Sequence, residues 1–139
     1  MDKLELVMRN TEEIVTVDEL KGLLEKPSRP RAYVGYETSG KVHLGHMLTA
    51  NKLLDLQRAG FDVVVLLADL HAFLNEKGTL EEVRQIADYN RDCFMALGLD
   101  PERTEFVYGT DYQLQPDFML KILQMARNTS LNRARRSMD

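Results

Sequence analysis

His43 and His46, in the run His43-Leu44-Gly45-His46, are the side chains best placed by type and spacing to do chemistry. If they open a helix, a spacing of three puts both imidazoles on one face of its first turn. The free N–H groups and dipole at such an end attract anions, and two imidazole donors add hydrogen bonds that strengthen as charge builds on a phosphate in a transition state. Gly45 contributes an absence: without a Cβ, a flat adenine can pack directly on the backbone. Upstream, Gly35, Gly40 and Lys41 also fit the G-x-x-x-x-G-K of a P-loop. Val42 spoils that fit, because the next residue must offer a hydroxyl to Mg²⁺, and only Asp69 is available as a second anchor at a strand end. The H-x-x-H spacing could hold a metal, but apart from His71 no third ligand is evident, so no fixed metal site is expected.

These residues need a scaffold that brings a strand, a tight turn and a helix together. Arg31 to Tyr36 reads as a strand, Glu37-Thr38-Ser39-Gly40-Lys41 as a polar turn, and about His43 to Ala59 as a helix stopped by Gly60. Two short helices precede this unit, the second with Thr16 and Glu19 spaced for a capping box and closed by Pro27. Phe61 to Ala68 (FDVVVLLA) is nearly continuous in apolar residues, which predicts a central parallel strand buried on both faces. Thr79 and Glu82 predict another capping box, opening a helix to Leu97 with Val83, Ile86, Ala87, Phe94 and Leu97 along its apolar stripe. A short strand at Glu105 to Tyr108 and a helix from Pro116 to about Arg127 follow. This alternation implies an α/β fold with a right-handed parallel sheet, whose ligands bind beyond the strand C-termini. Function is therefore expected at residues 35 to 46, 68 to 75 and 109 to 113.

With 139 residues, 44% hydrophobic and 29% charged, the chain can bury one core, which excludes disordered and collagen-like readings. No apolar run approaches the roughly 18 to 20 residues of a membrane span, and Met1-Asp2-Lys3-Leu4-Glu5 has no leader character, so a cytoplasmic protein is expected. A net charge of −4 argues against blanket attraction to nucleic acid. Arg127, Arg133, Arg135 and Arg136 nevertheless make the last stretch basic, either complementing a helix dipole or meeting phosphate. The sequence stops at Ser137-Met138-Asp139 without a helix-ending signal, which suggests a truncated helix and a fragment. Cys93, the single cysteine, and most of the seven methionines are expected to fill the core. Tyr36, opposite Tyr33 on the strand, is expected to pack and not to bind.

His43-Leu44-Gly45-His46 resembles the HIGH signature of class I aminoacyl-tRNA synthetases. Tyr33-Val34-Gly35-Tyr36-Glu37 and Ser39-Gly40-Lys41 resemble the archaeal and eukaryotic type of tyrosyl-tRNA synthetase, as do Leu66 to Asn75, Tyr108-Gly109, Tyr112-Gln113-Leu114 and Arg133 to Met138. The resemblance implies an incomplete Rossmann-like parallel sheet with flanking helices, of the HUP type. Residues 1–30 would be N-terminal helices, 31–115 the nucleotide- and tyrosine-binding half, and 116–139 a helical connective segment. It further implies that His43 and His46 contact ATP phosphates and that Gly35 and Gly45 border the nucleotide. Glu37 would lie near the substrate amino group or ribose. Tyr33 would hydrogen-bond the substrate phenol, and Leu66, Ala68, His71 and Gln113 would line the tyrosine pocket. Arg133, Arg135 and Arg136 would face tRNA, Mg²⁺ would arrive with ATP, and the complete enzyme would be a homodimer.

Two features depart from the family's pattern. Thr38 stands where proline is common before Ser39-Gly40, a change expected to loosen the turn. No lysine-serine loop of the KMSKS kind and no anticodon domain occur in these residues, so the chain alone is expected to charge tRNA poorly. For His71, a buried structural contact is the competing reading. Two other functions compete with the ligase: a non-catalytic module that binds nucleotide or a partner, and a P-loop NTPase.

Overall fold

A computed structural model describes residues 2–136. Capping sets its long helices. Helix α5 (Leu80–Ala96) begins at a complete box, with Thr79 N–H donating to Glu82 Oε2 at 2.8 Å and Glu82 N–H to Thr79 Oγ1 at 3.2 Å. Helix α2 (Val17–Leu24) forms half of the expected box: Glu19 N–H donates to Thr16 Oγ1 at 3.2 Å. Helix α1 (Lys3–Met8) precedes it, and α3 (Leu44–Ala59) runs from His43 to Gly60. Three parallel strands, β1 (Arg31–Tyr36), β2 (Asp62–Leu67) and β3 (Thr104–Tyr108), lie in the order β1-β2-β3, so β2 is central as expected.

Register decides what each face carries. Gly35 pairs with Leu66 and Leu66 with Val107, so these residues share a face with Tyr33. The opposite face buries Val63, Val65, Leu67 and Tyr108 in one cluster with Ala50, Leu53, Ala87 and Phe94 from α3 and α5. The expectation that β2 is buried on both faces is therefore corrected. Val64 and Leu66 are only half-buried, because both crossover helices pack on the other side. On α5 the buried positions are Val83, Ala87, Asn90 and Phe94, while Ile86 and Leu97 sit at the margin.

A second cluster of Val7, Leu20, Ala59 and Phe61 fastens the N-terminal helices to the back of α3. Polar contacts reinforce it: Lys52 Nζ donates to the carbonyls of Val7 (3.0 Å) and Leu6 (3.3 Å), and Arg9 Nε donates to Asp55 Oδ2 at 2.6 Å. Two short helices have no counterpart in the sequence reading, α4 (Asp69–Leu74) and α6 (Gly109–Gln113), whereas α8 (Leu131–Arg136) falls within the helical segment expected over residues 116–139. Helix α7 spans Pro116–Arg127, the predicted bounds. Ser137, Met138 and Asp139, which entered the resemblance and the reading of a truncated helix, lie outside the described residues.

Several packing expectations fail. Cys93 is only half-buried, toward the C-terminal end of α5, and none of the described methionines is buried. Unbranched side chains end up at the margins because the core is filled by valines, leucines and aromatics from the strands and facing helices. Thr38, expected to loosen the turn, has a fully buried side chain.

Candidate active site

The β1–α3 connection places both histidines at the mouth of α3. His43 is the N-cap, and its Nδ1 accepts the Gly45 N–H at 3.1 Å; His46, at the third helical position, accepts the His43 N–H on its own Nδ1 at 3.3 Å. The pair thus makes a capping box from imidazoles in place of a hydroxyl and a carboxylate. Because both Nδ1 atoms act as acceptors, the neutral rings carry their proton on Nε2, which remains as a donor. The ring centroids are 4.2 Å apart.

His46 is held from behind. Its ring lies 6.0 Å from Tyr36 and 6.5 Å from Phe94, and Tyr36 Oη donates to Thr49 Oγ1 (2.8 Å), which donates to the His46 carbonyl (2.9 Å). Burial first, and the adjacent His43 second, hold the His46 imidazole below its ordinary pKa, which favours the neutral ring. Tyr36 is therefore a packing residue, as its place on the strand suggested. Gly45 does more than leave room for a base. A Cβ there would stand 2.9 Å from His43 Cε1 and 3.1 Å from its Nδ1, so the glycine is what lets the imidazole fold back over the helix start.

The turn does not form the P-loop that competed as an alternative reading. In that motif the lysine opens the helix, whereas here Lys41 and Val42 precede the cap and α3 begins at Leu44. Cavities of about 500 Å³ and 530 Å³ flank the turn on its α5 side, the first touching Gly40 and Lys41, the second His43 and Leu44.

On the open face of the sheet, Tyr33 is 68% exposed. Its hydroxyl reaches along β1 to Gly35, where an added Cβ would lie 3.4 Å from the phenol oxygen and 3.7 Å from Leu66 Cδ2. Tyr33, Gly35 and Leu66 therefore form one continuous surface. Ala68 follows β2, and His71 stands exposed on α4, which rules out the reading that it satisfies a buried contact. Glu37 accepts from Asn75 Nδ2 at 3.2 Å, joining the first turn to the end of α4. Gln113 ends α6 with its Oε1 only 2.6 Å from where a Cβ on Gly109 would be. Arg133, Arg135 and Arg136 are exposed on α8, a separate helix beyond α7.

Two further groups lie here, of which the sequence reading gave Asp69 only the part of a possible P-loop metal anchor and Tyr112 no role of its own. Tyr112 has its phenol pushed above the ordinary value by burial, then by the charges of Tyr33 and Asp69, and its ring packs edge-on against Phe118 at 5.3 Å. Asp69, wholly buried, accepts from the backbone N–H groups of Leu70 and Thr110. The sheet topology had marked residues 68 to 75 and 109 to 113 as ligand-facing, and the segments that carry the resemblance also include both residues.

Residues 25–139 match the family model described as tRNA synthetases class I (W and Y). The chain is 67% identical over 139 residues to a tyrosine--tRNA ligase of Methanosarcina mazei, covering all of this chain and 44% of that protein. A crystal structure of tyrosyl-tRNA synthetase complexed with L-tyrosine from Archaeoglobus fulgidus superposes with a TM-score of 0.90 at 62% identity, covering 99% of this chain and 43% of that one. The tyrosyl-tRNA synthetase of Aeropyrum pernix gives 0.84 at 38% identity, covering 96% and 42%. This chain thus spans less than half the length of the curated relatives it matches. The parallel sheet ending in a histidine-capped helix has the Rossmann-like architecture of those enzymes, and the chain belongs to the class I tRNA synthetases of the tryptophan and tyrosine group.

Proposed function

We propose that this chain forms the N-terminal part of the catalytic domain of a tyrosine--tRNA ligase, which activates L-tyrosine with ATP and transfers it to tRNA(Tyr). The observation that carries the reading is the exposed Tyr33 phenol, laid over Gly35 on the same connection that ends in the imidazole cap of α3. The tyrosine carboxylate would attack the α-phosphate of ATP, pyrophosphate would leave, and the adenylate would pass its acyl group to tRNA. No covalent enzyme intermediate is needed, so the protein's part is orientation and charge stabilisation.

His43 and His46 would donate from Nε2 to the ATP phosphates, with the α3 dipole adding to the field. Gly35 and Gly45 would border the nucleotide, and Glu37, braced by Asn75, would meet the substrate amino group or ribose. Tyr33 would hydrogen-bond the substrate phenol, while Leu66, Ala68, His71 and Gln113 line its pocket. Mg²⁺ would enter bound to ATP, as part of the substrate. The exposed arginines Arg133, Arg135 and Arg136 would contact tRNA phosphates. The exposed apolar side chains of α7, among them Leu120, Leu123 and Met125, would lie at the boundary of a homodimer in the complete enzyme. Among the described residues no helix is long and apolar enough to cross a membrane, and a cytoplasmic location is the simplest proposal.

The test joins residues 1–139 to the remaining part of the Methanosarcina mazei ligase and measures pyrophosphate–ATP exchange. Exchange that depends on tyrosine supports the reading. Tyrosine-independent ATP hydrolysis would point to an NTPase, and absence of both activities to a binding module.

A further inference from the structure

The ends of β2 and β3 meet at one buried carboxylate. Asp69 opens α4, and its side chain accepts from Leu70 N–H (2.8 Å), Thr110 N–H (2.8 Å) and Thr110 Oγ1 (2.5 Å), with Arg84 3.5 Å away. Both Thr110 donors belong to a segment 41 residues further along the chain. A wholly buried carboxylate is expensive unless donors surround it, and these donors come from the starts of α4 and α6. Those two helices carry His71 and Gln113.

Gly109 makes the convergence tighter. A Cβ at that position would fall 2.9 Å from Asp69 Oδ1 and 2.6 Å from Gln113 Oε1, so the carboxylate and the Gln113 amide approach the same bare stretch of backbone. From outside, Arg84 bridges the assembly. It donates to Thr110 Oγ1 (2.8 Å) and Asp111 Oδ1 (2.7 Å), and its guanidinium lies 3.7 Å from the centre of the Tyr108 ring. Asp69 reaches no open surface itself, so whatever it contributes must pass through the groups it holds.

We infer that Asp69 is a positioning residue that fixes the spacing between the His71 and Gln113 segments, and thereby the fit of the amino-acid substrate, through its paired hydrogen bonds to Thr110. The inference rests on the reading of this site as a tyrosine-activating one. It assigns to Asp69 and Thr110 an effect on tyrosine and not on ATP, because the imidazole cap stands on a different connection.

The experiment uses the chimera with the Methanosarcina mazei ligase and compares Thr110→Val, Thr110→Ser and Asp69→Asn in pyrophosphate exchange. Thr110→Val removes one donor at nearly constant shape and should raise the tyrosine KM about five- to tenfold, with the ATP KM held within about twofold. Thr110→Ser keeps the hydroxyl and should restore the parent value. Asp69→Asn removes the acceptor charge and should raise the tyrosine KM more than Thr110→Val does. Should Asp69→Asn fail to fold, the Thr110 pair decides. An unchanged tyrosine KM in Thr110→Val, or tyrosine and ATP KM values moving in step, would overturn the inference while leaving the activity itself in place. An unsubstituted chimera without tyrosine-dependent exchange would sink the functional reading, and this inference with it.

Discussion

His43 and His46 cap their helix reciprocally: the backbone N–H of His43 donates to His46 Nδ1 at 3.3 Å, while His43 Nδ1 accepts the Gly45 N–H of the same first turn at 3.1 Å. The two rings are thereby fixed in tautomer and in place before any ligand arrives, so preorganisation comes from the same hydrogen bonds that start the helix. Capping and phosphate binding can therefore be separated by mutation. Asparagine can cap through its side-chain oxygen but cannot present an imidazole Nε2–H. His43→Asn in the chimera should keep the melting temperature close to the parent and lower kcat of tyrosine activation by about 10²- to 10³-fold. A kcat unchanged alongside an unchanged melting temperature would remove His43 from phosphate chemistry.

His46 makes the pH dependence specific. Burial and the neighbouring His43 depress its pKa in the folded state, so the unfolded chain takes up the proton first as pH falls. Its favourable share of stability is present above the ordinary histidine value of about 6.5 and is lost as pH drops through the lower folded value. NMR titration of the ring should give a midpoint below that of a free histidine. In His46→Gln the matching part of the melting-temperature loss on acidification should disappear.

Tyr33 offers a test of selectivity without a confounding fold defect, since its side chain is largely in solvent. Tyr33→Phe should leave unfolding unchanged. Removing one hydrogen bond to the substrate phenol should reduce the preference for tyrosine over phenylalanine about tenfold, with the ATP KM nearly constant. Tyrosyl-tRNA synthetases are themselves the reference case for such discrimination, at about 10⁵ against phenylalanine. Equal preference in mutant and parent, measured by competitive pyrophosphate exchange, would assign phenol recognition to another group.

Asp55 fastens the N-terminal helix to α3. Its hydrogen bond from Arg9, foremost, together with the charges of Arg9, Lys52 and Arg58, holds the carboxyl below the ordinary carboxylate range despite its burial. Its contribution is therefore present above pH about 4 and lost as pH falls through the depressed folded value. Arg9 remains partly in solvent, which screens the pair, so Asp55→Asn should cost about 1–3 kcal/mol at neutral pH by denaturant unfolding. The same variant should unfold with a flatter dependence on acid than the parent.

Much of this protein could be read from order along the chain. Capping residues, glycine stops and valine-rich runs act within a few residues, so α5, α7 and the three strands fall close to their expected bounds. The spacing of His43 and His46 also determined that their rings would share one helix mouth, because three residues span about one turn whatever surrounds them. Helices α4 and α6 are too short to show a hydrophobic period, and Asn90 hides inside an otherwise apolar stripe. Strand alternation already set Tyr33 opposite Tyr36, but only the parallel register decided that Leu66 joins Tyr33 and Gly35 on one open surface. Only the folded chain could bring Asp69 to Thr110, since a crossover helix separates them in sequence and the sheet sets their strand ends side by side.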